Sequence, residues 1–329
     1  MLNPDARLAA NIFDTPETAP TRDGFGKGAA EVGKADERVV VLSADLTEST
    51  RAEWFVKEFP QRFIEIGVAE QNMATVAAGM ANYGKIPFFT SYAAFSPGRN
   101  WEQIRTTIAL NNVPAIVCGM HAGVSVGPDG ATHQMLEDIA LMRAMPNMIV
   151  ISPSDSEEGR KATIAAAKAG KPVYLRFARD KSPIMTTPDT PFEIGKANVL
   201  WKSDAPKVVI IATGPLVHNA LLAAKELENE IQTTVINVHT IKPLDEATIL
   251  SAVQNVSAVV TVEEHQVNGG LGSAIAELLA KNNPKAIEFI GVQNTFGQSG
   301  EPKELIEHYG MGVRSISEAV KKALSRAVK

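Results

Sequence analysis

The chain has 329 residues, 45% hydrophobic and 21% charged, with a net charge of −5 and a pI near 5.8. That length suggests about two domains and a large buried core. The mild acidity and singly scattered lysines and arginines argue against a nucleic-acid or membrane surface. The one cysteine, Cys118, rules out a disulfide within the chain. It lies in the apolar run Ala115-Ile116-Val117-Cys118, which favours a small core residue over a nucleophile. Residues 1–20 lack the apolar core of a signal peptide. No apolar run approaches the roughly 20 residues that span a bilayer, so the expected location is cytoplasmic.

In chain order, short Val/Ile-rich runs fall at residues 39–42, 63–66, 115–118, 148–151, 173–175, 207–211, 233–236, 258–262 and 287–290. Most read as strands buried on both faces, which suits parallel sheets covered by helices. Helical patterns fall between them, over about 71–83, 99–110, 155–169, 216–230, 245–255, 271–282 and 315–327. The stretch 181–195 carries Pro183, Pro188 and Pro191 among serines and threonines and reads as a linker. The expected fold is α/β, in two consecutive domains at 1–190 and 191–329, each a mostly parallel sheet covered by helices. Residues 1–20 are left open: an arm across a partner, or disorder.

Three features carry chemistry. Glu70 follows a predicted strand and opens a helix, in Ile66-Gly67-Val68-Ala69-Glu70-Gln71-Asn72-Met73. The helix dipole favours its charge, while burial against Val68 and Met73 would favour the neutral form. Its plain structural role is a helix opener; its functional one is to share a proton with a nitrogen heterocycle. Second, Phe88, Phe89, Tyr92 and Phe95 fall within eight positions, although aromatics make up only 6% of the chain. Phe88 and Phe89 suit core packing, whereas Phe95, before Ser96-Pro97-Gly98, suits an open stacking face.

The third feature is the loop from Gly119 to Gln134, after a predicted strand, where open α/β sheets bind ligands. Its four glycines would let backbone approach a ligand. His121, Asp129 and His133 are metal-ligand types, but their spacing matches no zinc pattern. Polar positions for a hydroxylated substrate fit better, with His133 able to move protons near neutrality. Gly24, Gly26 and Gly28 form a GxGxG string without a preceding strand, so a dinucleotide fingerprint fails. Asn268-Gly269-Gly270-Leu271-Gly272 points to tight helix–sheet packing rather than a nucleotide loop.

These strings together resemble the C-terminal half of transketolase, from about Thr21 onward. They are Ala69-Glu70-Gln71-Asn72-Met73, Ser91-Tyr92-Ala93-Ala94-Phe95, Gly127-Pro128-Asp129-Gly130-Ala131-Thr132-His133-Gln134, Ile241-Lys242-Pro243-Leu244-Asp245 and Val262-Glu263-Glu264-His265. The resemblance implies that residues 1–190 bind the aminopyrimidine of thiamine diphosphate. It implies that 191–329 form the C-terminal domain, which supports dimerisation and lies away from the chemistry. By the same resemblance, Glu70 hydrogen-bonds the aminopyrimidine and drives its imino form, the base that activates the thiazolium carbon. Phe95 packs on that ring, with Tyr92 and Phe88 behind it. Arg22, Ser49, His121 and Arg179 match the group that holds a sugar phosphate, Asp129 one that reads a substrate hydroxyl, and His133 one that assists proton transfer.

The family's diphosphate-binding domain, with its Gly-Asp-Gly signature, has no counterpart in this sequence. The resemblance therefore implies a split transketolase. An N-terminal partner subunit would supply the diphosphate site and the Mg2+ ligands, with none expected from this chain. The assembly would hold two chains of each kind and act on sugar phosphates. The rival readings are a 2-oxo acid dehydrogenase beta subunit, a deoxyxylulose phosphate synthase fragment and an inactive transketolase-like binding module.

Overall fold

Seven strands build the sheet of the first domain, in the spatial order Thr240–Lys242, Ile149–Ile151, Val173–Arg176, Ile116–Met120, Ile86–Tyr92, Val39–Ser43 and Phe63–Glu65. The computed structural model describes residues 1–327. Neighbouring strands run parallel except at one edge, where Thr240–Lys242 pairs antiparallel with Ile149–Ile151. That edge strand comes from the second domain's part of the sequence. The second sheet has five strands, ordered Ala286–Val292, Ala258–Gln266, Val208–Ala212, Thr233–Asn237 and Asn198–Trp201. Only the last is antiparallel to its neighbour. The expected two-domain α/β architecture is present.

All nine predicted strands form; the central ones are apolar runs buried on both faces, while the edge strands Phe63–Glu65 and Ala286–Val292 are only partly buried. The central strand Ile86–Tyr92 is an addition. Pro87 and the polar end Thr90-Ser91 mask its pattern in the sequence, yet it lies fully inside the sheet between Val39–Ser43 and Ile116–Met120.

Apolar burial fuses the domains. One core places Leu42, Met73, Ala77, Phe89, Ile104 and Ile108 of the first domain in one cluster with Ile236, Ile249, Leu271 and Ile275 of the second. The opposite face of the first sheet is covered by helices Thr21–Ala35 and Ser156–Lys168. They approach closely at Gly24, where a Cβ would meet the Ser156 carbonyl oxygen at 2.1 Å, and at Gly28, where it would meet Thr163 Cβ at 2.7 Å. That close packing accounts for Gly24 and Gly28, while Gly26 makes room for the Trp54 ring, which a Cβ would meet at 2.5 Å.

Two boundary expectations change. Residues 1–13 belong to neither an arm nor a disordered tail. Ala6 and Ile12 sit in the core of the second domain, the Asn3 amide donates to the Leu200 carbonyl at 2.8 Å, and the Ile12 carbonyl meets His218 Nε2 at 2.8 Å. The 181–195 linker is pinned rather than free. Lys181–Pro183 pairs with Thr18–Pro20, and buried Asp155 accepts from the amides of Met185 and Thr186 at 2.8 and 2.6 Å. No helix among the described residues is long and apolar enough to cross a membrane.

Candidate active site

The site lies at the carboxyl ends of strands Val39–Ser43, Ile86–Tyr92 and Ile116–Met120, where parallel sheets present their ligand-binding loops. Glu70 is the first residue of helix Glu70–Asn82 and is 1% exposed. Asn100 Nδ2 donates to its carbonyl at 2.9 Å and to Ser96 Oγ at 3.1 Å, which ties the helix start to the loop after Tyr92. Its carboxylate accepts from Arg99 Nη1 at 2.6 Å. The expected apolar wall is only half present: Met73 is buried, but Val68 is 69% exposed.

The aromatic cluster continues from there. The Arg99 guanidinium lies 4.8 Å from the Phe95 ring centroid. Phe95 is stacked with Tyr92 at 5.9 Å and 11°, and Tyr92 with His121 at 3.8 Å and 20°. His133 meets Phe95 edge-on at 5.4 Å, its Nδ1 2.8 Å from Thr132 Oγ1. Phe88 is the exception. It is fully buried and packs on Phe25 at 6.1 Å in the core beneath the sheet. It cannot touch a ligand in this cleft, which corrects its assignment to the cofactor group. The cause is strand alternation: Phe88 and Phe89 point to opposite buried faces of one central strand.

The third part is cationic. Arg22 Nη1 donates to the Ser49 carbonyl at 2.6 Å and to His121 Nε2 at 2.9 Å. Ser49 therefore enters through its backbone. Arg179 Nη1 donates to the Val126 carbonyl at 2.6 Å and lies 4.0 Å from Asp129 Oδ1. Arg51, bonded to Asp23 at 2.7 Å, joins them. Burial and then the positive charge of Arg51 pull Arg22 down to about 10. Burial and then Arg22 pull His121 down to about 2, so its imidazole is neutral. Arg22 Nε and His121 Nδ1 are buried without a partner among the described residues. A cluster of cationic side chains with buried, unpaired donors suits an anionic, oxygen-rich ligand.

The loop glycines serve another purpose than ligand approach. A Cβ on Gly119 would meet Tyr174 Oη at 2.3 Å, one on Gly123 the Glu264 carboxylate at 2.2 Å, and one on Gly130 Ser299 Oγ at 2.5 Å. They let the loop dock on its own sheet and on the second domain. Glu264 accepts from the Ser125 amide at 2.7 Å, and Gln134 Nε2 donates to the Gln298 carbonyl at 2.9 Å. The second domain thus braces the Gly119–Gln134 loop directly.

The sequence motifs do not point to Arg51, Arg99 or Asn100. Arg51 was within reach of sequence reasoning, since it follows Ser49 by two positions on the same loop. No His, Cys, Asp or Glu group of three or more suited to a metal occurs among the described residues.

A buried carboxylate joined through Arg99 to a half-open aromatic ring, with a cluster of arginines nearby at the carboxyl edge of a parallel sheet, makes up the candidate site. The transketolase pyrimidine-binding domain matches residues 17–184, and the transketolase C-terminal domain matches 195–316. The chain belongs to the transketolase family and carries its pyrimidine-binding and C-terminal domains. It is 43% identical, over 93% of its own length and 96% of the relative's, to a protein of Methanocaldococcus jannaschii described as a transketolase C-terminal section. A 6-deoxy-6-sulfo-D-fructose transketolase subunit of Clostridium sp. is 38% identical, with 93% and 94% covered. Human transketolase is 36% identical over 93% of this chain, which spans 49% of that protein. Among solved structures, a split gene transketolase described as an inactive beta4 tetramer superposes with a TM-score of 0.86 at 42% identity, covering 93% of this chain and 98% of that one.

Proposed function

We propose that the chain is one subunit of a split, thiamine-diphosphate-dependent transketolase that transfers a two-carbon ketol unit from a ketose phosphate to an aldose phosphate in the cytoplasm. The observation that carries this reading is the continuous contact path from Glu70 through Arg99, Phe95, Tyr92 and His121 to Arg22. It links a heterocycle grip to an anion nest within one cleft.

The residues present fit the aminopyrimidine half of the cofactor. Glu70 offers a buried carboxylate and Phe95 a partly exposed ring. When bound, thiamine diphosphate supplies the carbon nucleophile. Glu70 hydrogen-bonds the heterocycle and governs where its proton sits. Phe95, backed by Tyr92, fixes the ring plane. Arg22, Arg51 and Arg179 hold the phosphate of the sugar, helped by the Ser49 loop. Asp129 reads a substrate hydroxyl, and neutral His121 donates from Nδ1 to a substrate oxygen. His133, at the edge of Phe95, moves a proton between the reacting oxygens and solvent.

The diphosphate and Mg2+ ligands come, on this reading, from an N-terminal partner subunit in a two-plus-two assembly. The chain by itself is then inert, in keeping with the description of the superposable β tetramer as inactive. The phosphate nest favours sugar phosphates over the substrates of a 2-oxo acid dehydrogenase. The test mixes the chain with the candidate partner, thiamine diphosphate and Mg2+, and offers xylulose 5-phosphate with ribose 5-phosphate, or pyruvate. Ketol transfer is the expected result. Decarboxylation of pyruvate, turnover by this chain alone, or silence with both substrates refutes it.

A further inference from the structure

Arg99 occupies the two places a bound aminopyrimidine requires. Its Nη1 donates to Glu70 Oε2 at 2.6 Å, and its Cζ lies 4.8 Å from the centroid of Phe95. A guanidinium is a flat N–C–N array of donors, so it meets a carboxylate and an aromatic face as the edge of an aminopyrimidine does. We infer that Arg99 is a displaceable internal stand-in for the cofactor ring, a positioning residue that holds Glu70 and covers Phe95 until the cofactor takes both. This rests on the transketolase reading of the same site and adds to it a residue and a loading step.

Glu70 and Arg99 are unequal partners. The Glu70 side chain is 1% exposed, and that of Arg99 is 47% exposed. A buried carboxylate left without a partner is strongly disfavoured, so something must compensate it. Arg99, by contrast, hydrates readily once released, and its side chain makes no other hydrogen bond among the described residues. Its neighbour Asn100 is fully buried and held by Glu70 and Ser96. The backbone is therefore fixed, and exchange needs only rotation of the Arg99 side chain outward. A heterocycle that donates to Glu70 while lying on Phe95 needs the volume the guanidinium fills, so the two compete. Competition of this kind raises the apparent Kd to the intrinsic Kd divided by the fraction of time the side chain is outward.

The experiment titrates thiamine diphosphate into the assembly of chain and partner with saturating Mg2+, comparing wild type, Arg99→Ala and Arg99→Gln. Both variants are expected to lower the cofactor Kd by about threefold to tenfold, chiefly through a faster association rate. The cofactor-induced rise in melting temperature should also be larger in the variants, because only the cofactor-free state loses the Arg99 contact. Arg99→Gln keeps a planar amide donor for Glu70 and covers the case in which Arg99→Ala fails to fold. An unchanged or raised Kd overturns the role of Arg99 alone. A wild-type assembly that binds no thiamine diphosphate overturns the transketolase reading and this inference with it.

Discussion

The imidazole of His121 lies flat on the phenol of Tyr92, ring centroids 3.8 Å apart and planes 20° from parallel. Arg22 Nη1 reaches His121 Nε2 at 2.9 Å. A guanidinium only donates, so Nε2 is the acceptor and the ring proton sits on Nδ1. Stacking fixes the ring plane, and the arginine fixes the tautomer. Burial, then Arg22, Arg179 and Arg51, hold its pKa down at about 2. The fold therefore favours the neutral ring, and its stabilising contribution is complete above about pH 6.5 and lost as acid is added below that. Nitrogen-15 NMR should show the His121 resonances unchanged from pH 8 to pH 5; a titration centred near 6.5 would refute this.

Replacing Glu70 with alanine should leave the fold intact and lower transketolase activity of the assembly by about 10²- to 10⁴-fold, the usual weight of a positioned proton-transfer group. Circular dichroism and steady-state rates check the two halves of that statement. A near-normal rate would reduce Glu70 to a helix opener.

Arg179→Ala and Arg51→Ala should each raise KM for the sugar phosphate about tenfold to a hundredfold, the loss of one charge-assisted hydrogen bond of about 1.5–3 kcal/mol. The kcat should change less, because a contact made alike in the ground and transition states acts on KM. Arg51 is the sharper case, since only its place beside Asp23 and Arg22 recommends it. An unaltered KM in Arg51→Ala removes it from the nest.

A buried network joins the domains beneath the site. Asp138 accepts from Tyr174 Oη at 2.6 Å and from Arg176 Nε at 2.7 Å, while Arg176 Nη2 donates to the Glu264 carbonyl at 2.9 Å. Burial opposes the charge on Asp138, but Arg176 and its hydrogen bonds hold its pKa below the usual value. Asp138→Ala strands the Arg176 cation in the interior and should cost about 3–5 kcal/mol. Denaturant unfolding of the chain measures this, and a loss under about 1 kcal/mol would mean that water or a neighbour replaces the carboxylate.

The strands and the functional strings were legible for one reason: both are local. A run such as Val39-Val40-Val41-Leu42 announces a doubly buried strand, and Glu70 stands where a strand gives way to a helix. What the sequence withheld is set by packing between distant segments. Phe88 and Phe95 are the same residue type seven positions apart, yet one is sealed in the core and the other borders the cleft. The loop glycines looked like ligand-facing backbone, but their space is filled by Tyr174, Glu264 and Ser299, two of them more than a hundred residues away. Arg99 pairs with a residue 29 positions earlier, across helix Glu70–Asn82 and strand Ile86–Tyr92, a separation no periodicity records.

The edge strand Thr240–Lys242 belongs to one domain by sequence and to the other by hydrogen bonding. Cutting the gene near residue 190 would therefore release a fragment with a raw border on its sheet and a second fragment trailing a tongue with nothing to grip. Recombination between relatives should tolerate crossovers there only when both sides of that seam travel from the same parent.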